Sequence, residues 1–239
     1  MKKIGVIGGM SFESTAIYYR MINEQVRAEL GGLSSADVLI HSVNFADIVA
    51  LQKAGDWAEA AERLAKSAAN LEKAGADCIL IATNTMHKVA DEVARHIHIP
   101  LINIIDVTAD ALKARHARKP LLLATRYTME DGFYAERMAR HGLSLVTPDH
   151  LGRIIMHDVI FNELCAGHVS DASRKRVIEI IEKAKDAGAD SVILGCTEIC
   201  MLIDPSMSPL PTFDSTAIHA AAAVEFSLSA ARSQMTEAA

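Results

Sequence analysis

The text Ala-Gly-Ala-Asp occurs twice in this chain, at 74–77 and at 187–190, and an apolar run follows each copy. The first continues as Cys78-Ile79-Leu80-Ile81-Ala82-Thr83-Asn84-Thr85, the second as Ser191-Val192-Ile193-Leu194-Gly195-Cys196-Thr197-Glu198. Each reads as a helix ending at a glycine, then a short strand. A continuous aliphatic run, rather than an alternating one, suits a strand buried on both faces, as in a parallel sheet covered by helices. Laying one copy on the other sets Thr83 on Cys196, 113 positions apart. One βα series has therefore been used twice, with a small hydroxyl or thiol residue at each strand tip.

The rest of the chain fits two such series. Lys3 to Ile7 predicts a strand, Gly8-Gly9-Met10-Ser11 a turn, and about Glu13 to Leu30 a helix. A second strand is expected over Ala36 to Val43, a helix over Trp57 to Lys73, a third strand over Cys78 to Ala82, and a helix over Met86 to Arg95. Pro100 to Asp106 reads as a fourth strand, with a helix from Val107 to His116. The pattern restarts at Lys119-Pro120. Leu121 to Arg126 stands where Gly5 to Met10 stood. Then come a helix over Met129 to His141, a strand over Leu143 to Thr147, helices over Ile154 to Ala166 and Ser173 to Ala187, and the strand Ser191 to Leu194. Pro211 to Thr216 echoes Pro100 to Thr108, and an Ala-rich helix closes the chain, frayed beyond Ser229. The expected fold is α/β: two similar domains, 1–105 plus 213–239 and 106–212. Each is a parallel sheet flanked by helices, and the two are related by a pseudo-twofold axis. The last helix should pack back on the first half. Ligands of such sheets bind off the carboxyl ends of the strands, which places a site in the cleft between the domains with Thr83 and Cys196 on facing walls.

Composition excludes several classes. Half of the 239 residues are hydrophobic but only 5% are aromatic, so the core is built from Ala, Val, Ile, Leu and Met. Net charge is −6 with no basic block, which gives nucleic-acid binding no electrostatic support. No apolar run reaches the roughly 18 residues of a membrane span, and Met1-Lys2-Lys3-Ile4 runs straight into a strand pattern, so no secretory leader is expected. Four cysteines without a CxxC fit a reducing cytoplasm better than a disulfide framework. Cys196 and Cys200 lack a His or Cys at ligand spacing, so no metal is expected. The glycines after the first strand do not spell G-x-G-x-x-G, and the second strand ends in Ser42-Val43-Asn44 rather than in an acid, which disfavours a dinucleotide. Gly8-Gly9 is either a plain tight turn or one that brings backbone N–H groups to an anion.

A cysteine at a strand tip, followed at once by a helix start, is expected to have its thiol pKa lowered by the helix dipole. It then serves as a nucleophile or as a base. A nucleophile needs a His and an orienting group; Glu198 and His219 are present, but no motif gives either that role. A base needs only a planar carbanion to work on, with Asn84, Thr85 and Thr197 available to hold a carboxylate. The plainer readings are that Cys196 is a buried small hydrophobe and that Thr83-Asn84-Thr85 simply caps a helix.

Ile4-Gly5-Val6-Ile7-Gly8-Gly9-Met10-Ser11, Thr83-Asn84-Thr85-Met86-His87 and Gly195-Cys196-Thr197-Glu198 together resemble the aspartate/glutamate racemase superfamily, over the whole chain and in order. The GGM opening and GCTE are similar to its aspartate racemase branch. The resemblance implies two like α/β domains, a homodimer, no cofactor, and a pair of cysteines that remove and return the Cα proton on opposite faces. Thr83 replaces the first of those cysteines. Carried over, the pattern implies that Cys196 deprotonates an L-amino acid while reaction from the D-side is impaired. Gly9, Met10, Asn84, Thr85, Thr125 and Thr197 are expected around the α-carboxylate and amine. Gln52 and Arg153 are expected toward the side chain, although Arg153 is equally well read as a solvated helix residue. The expected function is a cofactor-independent racemase of aspartate or glutamate, biased to the L-enantiomer. The alternatives are a single-cysteine decarboxylase, a hydantoin racemase or maleate isomerase of the same superfamily, and an amino-acid-binding protein without turnover.

Overall fold

The computed structural model describes residues 1–237, with side chains through Ser229. The chain divides into two compact units, Met1–Ile104 with His219 onward, and Ile105–Ile218. Each is built on a three-stranded parallel sheet.

In the first unit, β1 (Ile4–Gly8) lies between β2 (Val38–Ser42) and β3 (Cys78–Ile81). Alternate residues of β1 and β3 feed two cores. Ile4, Val6, Cys78, Leu80 and Ala82 pack with Tyr18, Ile22 and Val26 of α1 (Phe12–Leu30) and with Ala220, Ala223, Val224 and Leu228 of the C-terminal helix. Ile7, Ile79 and Ile81 pack on the other face with Ile48 of α2 (Phe45–Ala54) and with Ala60, Ala61, Leu64, Ala68 and Leu71 of α3 (Trp57–Lys73). A sheet covered on both faces explains why its strands read as unbroken apolar runs.

In the second unit, β5 (Ser191–Leu194) lies between β4 (Pro120–Leu123) and β6 (Thr212–Asp214). Leu121, Leu122, Leu123, Val192 and Ile193 are fully buried. The repeat extends to its bonding, with one added bond in the second copy. Asp77 Oδ2 accepts from the Lys3 N–H at 2.6 Å, and Asp190 Oδ2 accepts from the Arg118 and Lys119 N–H groups at 2.6 and 2.9 Å. The Ile79 N–H donates to Pro100 O at 2.9 Å, and the Val192 N–H to Pro211 O at 2.8 Å.

Several expected elements differ. The fourth strand, Pro100 to Asp106, shrinks to one parallel bridge, Ile79 with Leu101. A helix already starts at Ile104 (Ile104–Ala114), and the Ile102 carbonyl accepts from His219 Nε2 at 2.8 Å, so the ladder cannot continue. The strand over Leu143 to Thr147 is likewise a single bridge, Leu121 with Val146. Each sheet thus has the same four positions in its order, but the second unit completes the edge beyond β5 and the first unit the edge before β1. The helix expected over Met129 to His141 breaks at Gly132, with segments Arg126–Glu130 and Phe133–Arg140. The one expected over Met86 to Arg95 is a 3₁₀ turn, Thr85–Val89, followed by a short α-helix, Ala90–Ala94. The one expected over Ile154 to Ala166 starts at His150 and passes through a π-helical turn, Val159–Glu163. Helix α2 was not expected: Asn44, read as a strand end, caps it by accepting from the Ala46 N–H at 3.3 Å. The tail beyond Ser229 is helical to Glu237, as the end of Ser215–Glu237; residues 238 and 239 lie outside the described residues.

Candidate active site

Strand register gathers the expected residues of the first unit at one end of its sheet. Ile7 pairs with Ile81, so Gly9 and Thr83 both stand two residues past the last pair. Gly9 sits at φ +88, and a Cβ there would fall 2.2 Å from Val43 O and 2.6 Å from Val43 N. Its own N–H donates to Thr15 Oγ1 at 2.8 Å. Only glycine fits, so this turn runs hard against the chain leaving β2. Met10, Asn84 and Thr85 are buried. Gln52, also buried, donates from Nε2 to Met86 Sδ at 3.2 Å, which brings it to the Thr83–His87 segment. Asn84 makes no side-chain capping bond to the turn that follows.

Thr83 is half-buried, and its backbone is held tightly. Its N–H donates to Ile81 O at 2.8 Å. Its carbonyl accepts from His87 Nδ1 at 2.8 Å, while His87 Nε2 accepts from the Ile104 N–H at 3.2 Å. Those two bonds require the neutral ring with its proton on Nδ1. His87 meets the edge of His219, with centroids 5.6 Å apart. His219 donates from Nε2 to Ile102 O, so its Nδ1 accepts from the Tyr18 hydroxyl at 2.8 Å. Burial lowers the His219 pKa to about 4. His219 therefore belongs to the interior of the first unit and is no partner for a nucleophile.

In the second unit, Leu123 pairs with Leu194, which sets Ala124-Thr125 beside Gly195-Cys196. A Cβ on Gly195 would stand 3.0 Å from Ala124 Cβ and from Leu123 O, so the two tips are in contact. Thr125 Oγ1 shares a hydrogen bond with Thr128 Oγ1 at 3.1 Å. Cys196 is half-buried, and Thr197 and Glu198 are buried. Cys196 Sγ donates to Glu198 Oε2 at 2.7 Å, and Thr197 Oγ1 donates to the same oxygen at 2.7 Å. The expected lowering of the thiol pKa is wrong. Burial first, and then the charge and hydrogen bond of Glu198, push the Cys196 thiol well above its ordinary value. The helix that follows, Ile199–Leu202, has only four residues, so its dipole cannot outweigh an adjacent carboxylate. The Cys200 thiol is also raised, by burial and then by Asp214.

Arg153 is bonded to other residues of the second unit. Its Nε donates to Glu130 Oε1 at 2.9 Å and its Nη1 to Pro148 O at 2.8 Å. Glu198 is the residue that sequence reasoning left without a role. Its place two positions after the cysteine was the available signal, but the rotamer that turns its carboxylate back onto Sγ could not be read from spacing.

The family model for Asp/Glu/Hydantoin racemases matches residues 7–223. This chain belongs to that family. A Yersinia pestis protein assigned to the Asp/Glu racemases is 47% identical, with a TM-score of 0.91 over 95% of this chain and 100% of the other. An aspartate racemase homologue from Pyrococcus horikoshii OT3 is 35% identical, with a TM-score of 0.85 over 95% of this chain and 99% of that one. The broad specificity amino-acid racemase RacX of Bacillus subtilis (strain 168) is 23% identical over 232 residues, 92% of this chain and 96% of RacX. Racemases are isomerases. No described helix is long and apolar enough to cross a membrane.

Proposed function

We propose that this chain is a cofactor-independent racemase of aspartate or glutamate that works from the L-enantiomer. The observation that carries the proposal is the Cys196 thiol, 2.7 Å from the Glu198 carboxylate at the tip of a buried strand, against a lone hydroxyl, Thr83, at the matching tip. Cys196, once its thiol has lost its proton to become the thiolate, takes the Cα proton of an L-amino acid. The S–H bond forms as the Cα–H bond breaks, and the electron pair spreads into the substrate carboxylate. A solvent proton, passed through the Thr83 hydroxyl, closes the opposite face. An alcohol is scarcely ionised near neutral pH and acts as a base only when a neighbour activates it. The hydrogen bonds at Thr83 among the described residues are backbone ones, so entry from the D-side is slow.

Gly9, Met10, Asn84, Thr85, Thr125 and Thr197 hold the α-carboxylate and amine. Gln52 meets the side chain, and Arg153 does so only by leaving Glu130. The protein works as a cytoplasmic homodimer without a cofactor, and without nucleic-acid or membrane partners.

The test is proton NMR in D₂O, with L-Asp, D-Asp, L-Glu and D-Glu incubated separately with wild type, Thr83→Cys and Cys196→Ser. Deuterium should enter Cα of an L-form only, enter D-forms in Thr83→Cys, and enter nothing in Cys196→Ser. No exchange from any L-amino acid offered would sink the reading. One thiol rather than two also suits a decarboxylase that protonates an enolate, for which CO₂ release from a malonate is the measurement. Calorimetric binding without exchange would mark a binding protein.

A further inference from the structure

We infer that His87 is the positioning residue of the Thr83 tip: its ring bonds the Thr83 backbone to the Ile104 backbone, and so sets where the Thr83 hydroxyl stands when it passes a proton to the substrate. The inference rests on the racemase reading for the proton, but not for its geometry. His87 is 4% exposed. Its Nδ1 donates to Thr83 O at 2.8 Å, and its Nε2 accepts from the Ile104 N–H at 3.2 Å. Ile104 is the last residue of the first unit before the chain enters the second, and His219 is the first residue after it returns. His219 lies edge-on to the His87 ring, with centroids 5.6 Å apart, and donates to Ile102 O at 2.8 Å. A buried pair of rings therefore ties the Thr83 tip to the segment that leaves the first unit and to the one that rejoins it. The main-chain bonds of the tip are local by comparison: the Thr83 N–H donates to Ile81 O and the His87 N–H to Asn84 O.

A hydroxyl that moves a proton must stand within hydrogen-bond reach of it, about 2.6–3.2 Å, and a displacement of about 1 Å at such a group costs about 100-fold in rate. The β1–β3 ladder ends with the Ala82 N–H donating to Ile7 O at 2.9 Å, one residue short of Thr83, so the sheet does not fix the tip. His87 supplies the missing constraint. Nothing covalent changes on its ring: the Thr83 hydroxyl gives its proton to Cα and regains one from solvent. A side chain without a donor and an acceptor leaves the Thr83 carbonyl and the buried Ile104 N–H without this partner, and the tip shifts to satisfy them. Glutamine carries a donor and an acceptor on one planar group, as neutral imidazole does; leucine carries neither. Cys196 belongs to the second unit and shares none of these bonds. Proton removal from the L-face should therefore survive a change at His87 that proton return through Thr83 does not.

The split between labelling and inversion tests this. L-Asp and L-Glu are incubated in D₂O with each variant; proton NMR reads deuterium at Cα of the recovered L-form, and chiral chromatography reads the D-product. In His87→Leu, D-product formation should fall about 100-fold, while labelling of the L-form stays within threefold of wild type. His87→Gln should recover most of the loss. Thr83→Val should show the same split, and adding His87→Leu to it should change neither reading further. A His87 that only stabilises the fold would lower both readings together and add its effect to that of Thr83→Val, which would overturn the inference. So would D-product formation in His87→Leu within threefold of wild type. Nitrogen-15 NMR of histidine-labelled wild type supplies a readout that needs neither a variant nor turnover. The ring proton of His87 on Nδ1 would uphold the anchor even if His87→Leu does not fold, or if wild type exchanges nothing, a result that sinks the racemase reading alone. The ring proton on Nε2 would sink the anchor whatever the kinetics.

Discussion

At the tip of β3, Thr83 is held through its backbone, with its carbonyl accepting from His87 at 2.8 Å and its N–H donating to Ile81 at 2.8 Å. At the tip of β5, Cys196 is held through its side chain, the thiol donating to Glu198 at 2.7 Å. The strands that carry the two residues enter their sheets alike, with an aspartate bonding the neighbouring strand's start and a proline carbonyl accepting from the second strand residue. A duplicated scaffold has thus been finished with a histidine four residues on in one copy and a glutamate two residues on in the other. The first finish bonds the backbone of the Thr83 turn, and the second sets a carboxylate against the thiol. Equivalent places in a repeat need not share chemistry, because the side chain that completes each tip lies outside the repeated text.

The largest expected effect falls on the thiol. Cys196→Ser should lower Cα exchange from L-substrates by at least 10³-fold, because the serine hydroxyl ionises far less readily; deuterium uptake by NMR measures it. A serine variant within tenfold of wild type would remove the contrast between the tips.

The glycines that follow β1 and β5 should differ in tolerance. Gly9→Ala forces a Cβ against the Val43 backbone at φ +88 and should cost about 3 kcal/mol. Gly195→Ala meets its neighbours only at 3.0 Å and should cost about 1–2 kcal/mol. Urea midpoints at constant m would check both, and equal costs would mean that the first turn relaxes.

Acid should act more strongly on the first unit. His219 has its pKa lowered by burial to about 4, below the unfolded value of about 6.5. Its contribution is complete above the unfolded value and fades as pH falls from about 6.5 to 4, by roughly 3 kcal/mol. The half-buried His157 of the second unit is also lowered, by burial and then by Arg126, and acts in the same direction. Hydrogen exchange of β1 and β3 amides at pH 7 and pH 4.5, compared with His219→Gln, would show the effect; β4 and β5 losing protection first would contradict it.

Thr83→Cys should sharpen the comparison by raising exchange from D-substrates about 100-fold, read with the same NMR assay. The added thiol has no Glu198 counterpart, so this gain should grow with pH.

The smallest effect concerns what the two copies share. Asp77→Asn and Asp190→Asn should each cost about 1 kcal/mol, measured by thermal or urea unfolding. For Asp190 burial alone would raise the pKa, but the Arg118 and Lys119 N–H groups outweigh it and hold the carboxyl below its usual range. Its contribution is therefore present above about pH 4 and is lost as pH falls further. A large inequality between the variants at pH 7 would show that the repeat is equal in geometry only.

The sequence by itself determined the repeat, the parallel sheets and the two tip residues, because these rest on local signals: glycine turns, unbroken apolar runs and the spacing of Ala-Gly-Ala-Asp. It also carried the family motifs that the comparisons bear out. Tertiary structure alone decided the rest. Pro100 to Asp106 has strand composition, yet His219, more than a hundred residues away, takes the Ile102 carbonyl and the chain turns helical at Ile104. The thiol pKa rises rather than falls, because burial first, and then a carboxylate at 2.7 Å, outweigh a four-residue helix, and only the folded chain shows which way the Glu198 side chain turns. Propensity and spacing act along the chain, whereas the partner of a buried polar group is chosen by whatever the fold brings within hydrogen-bonding distance.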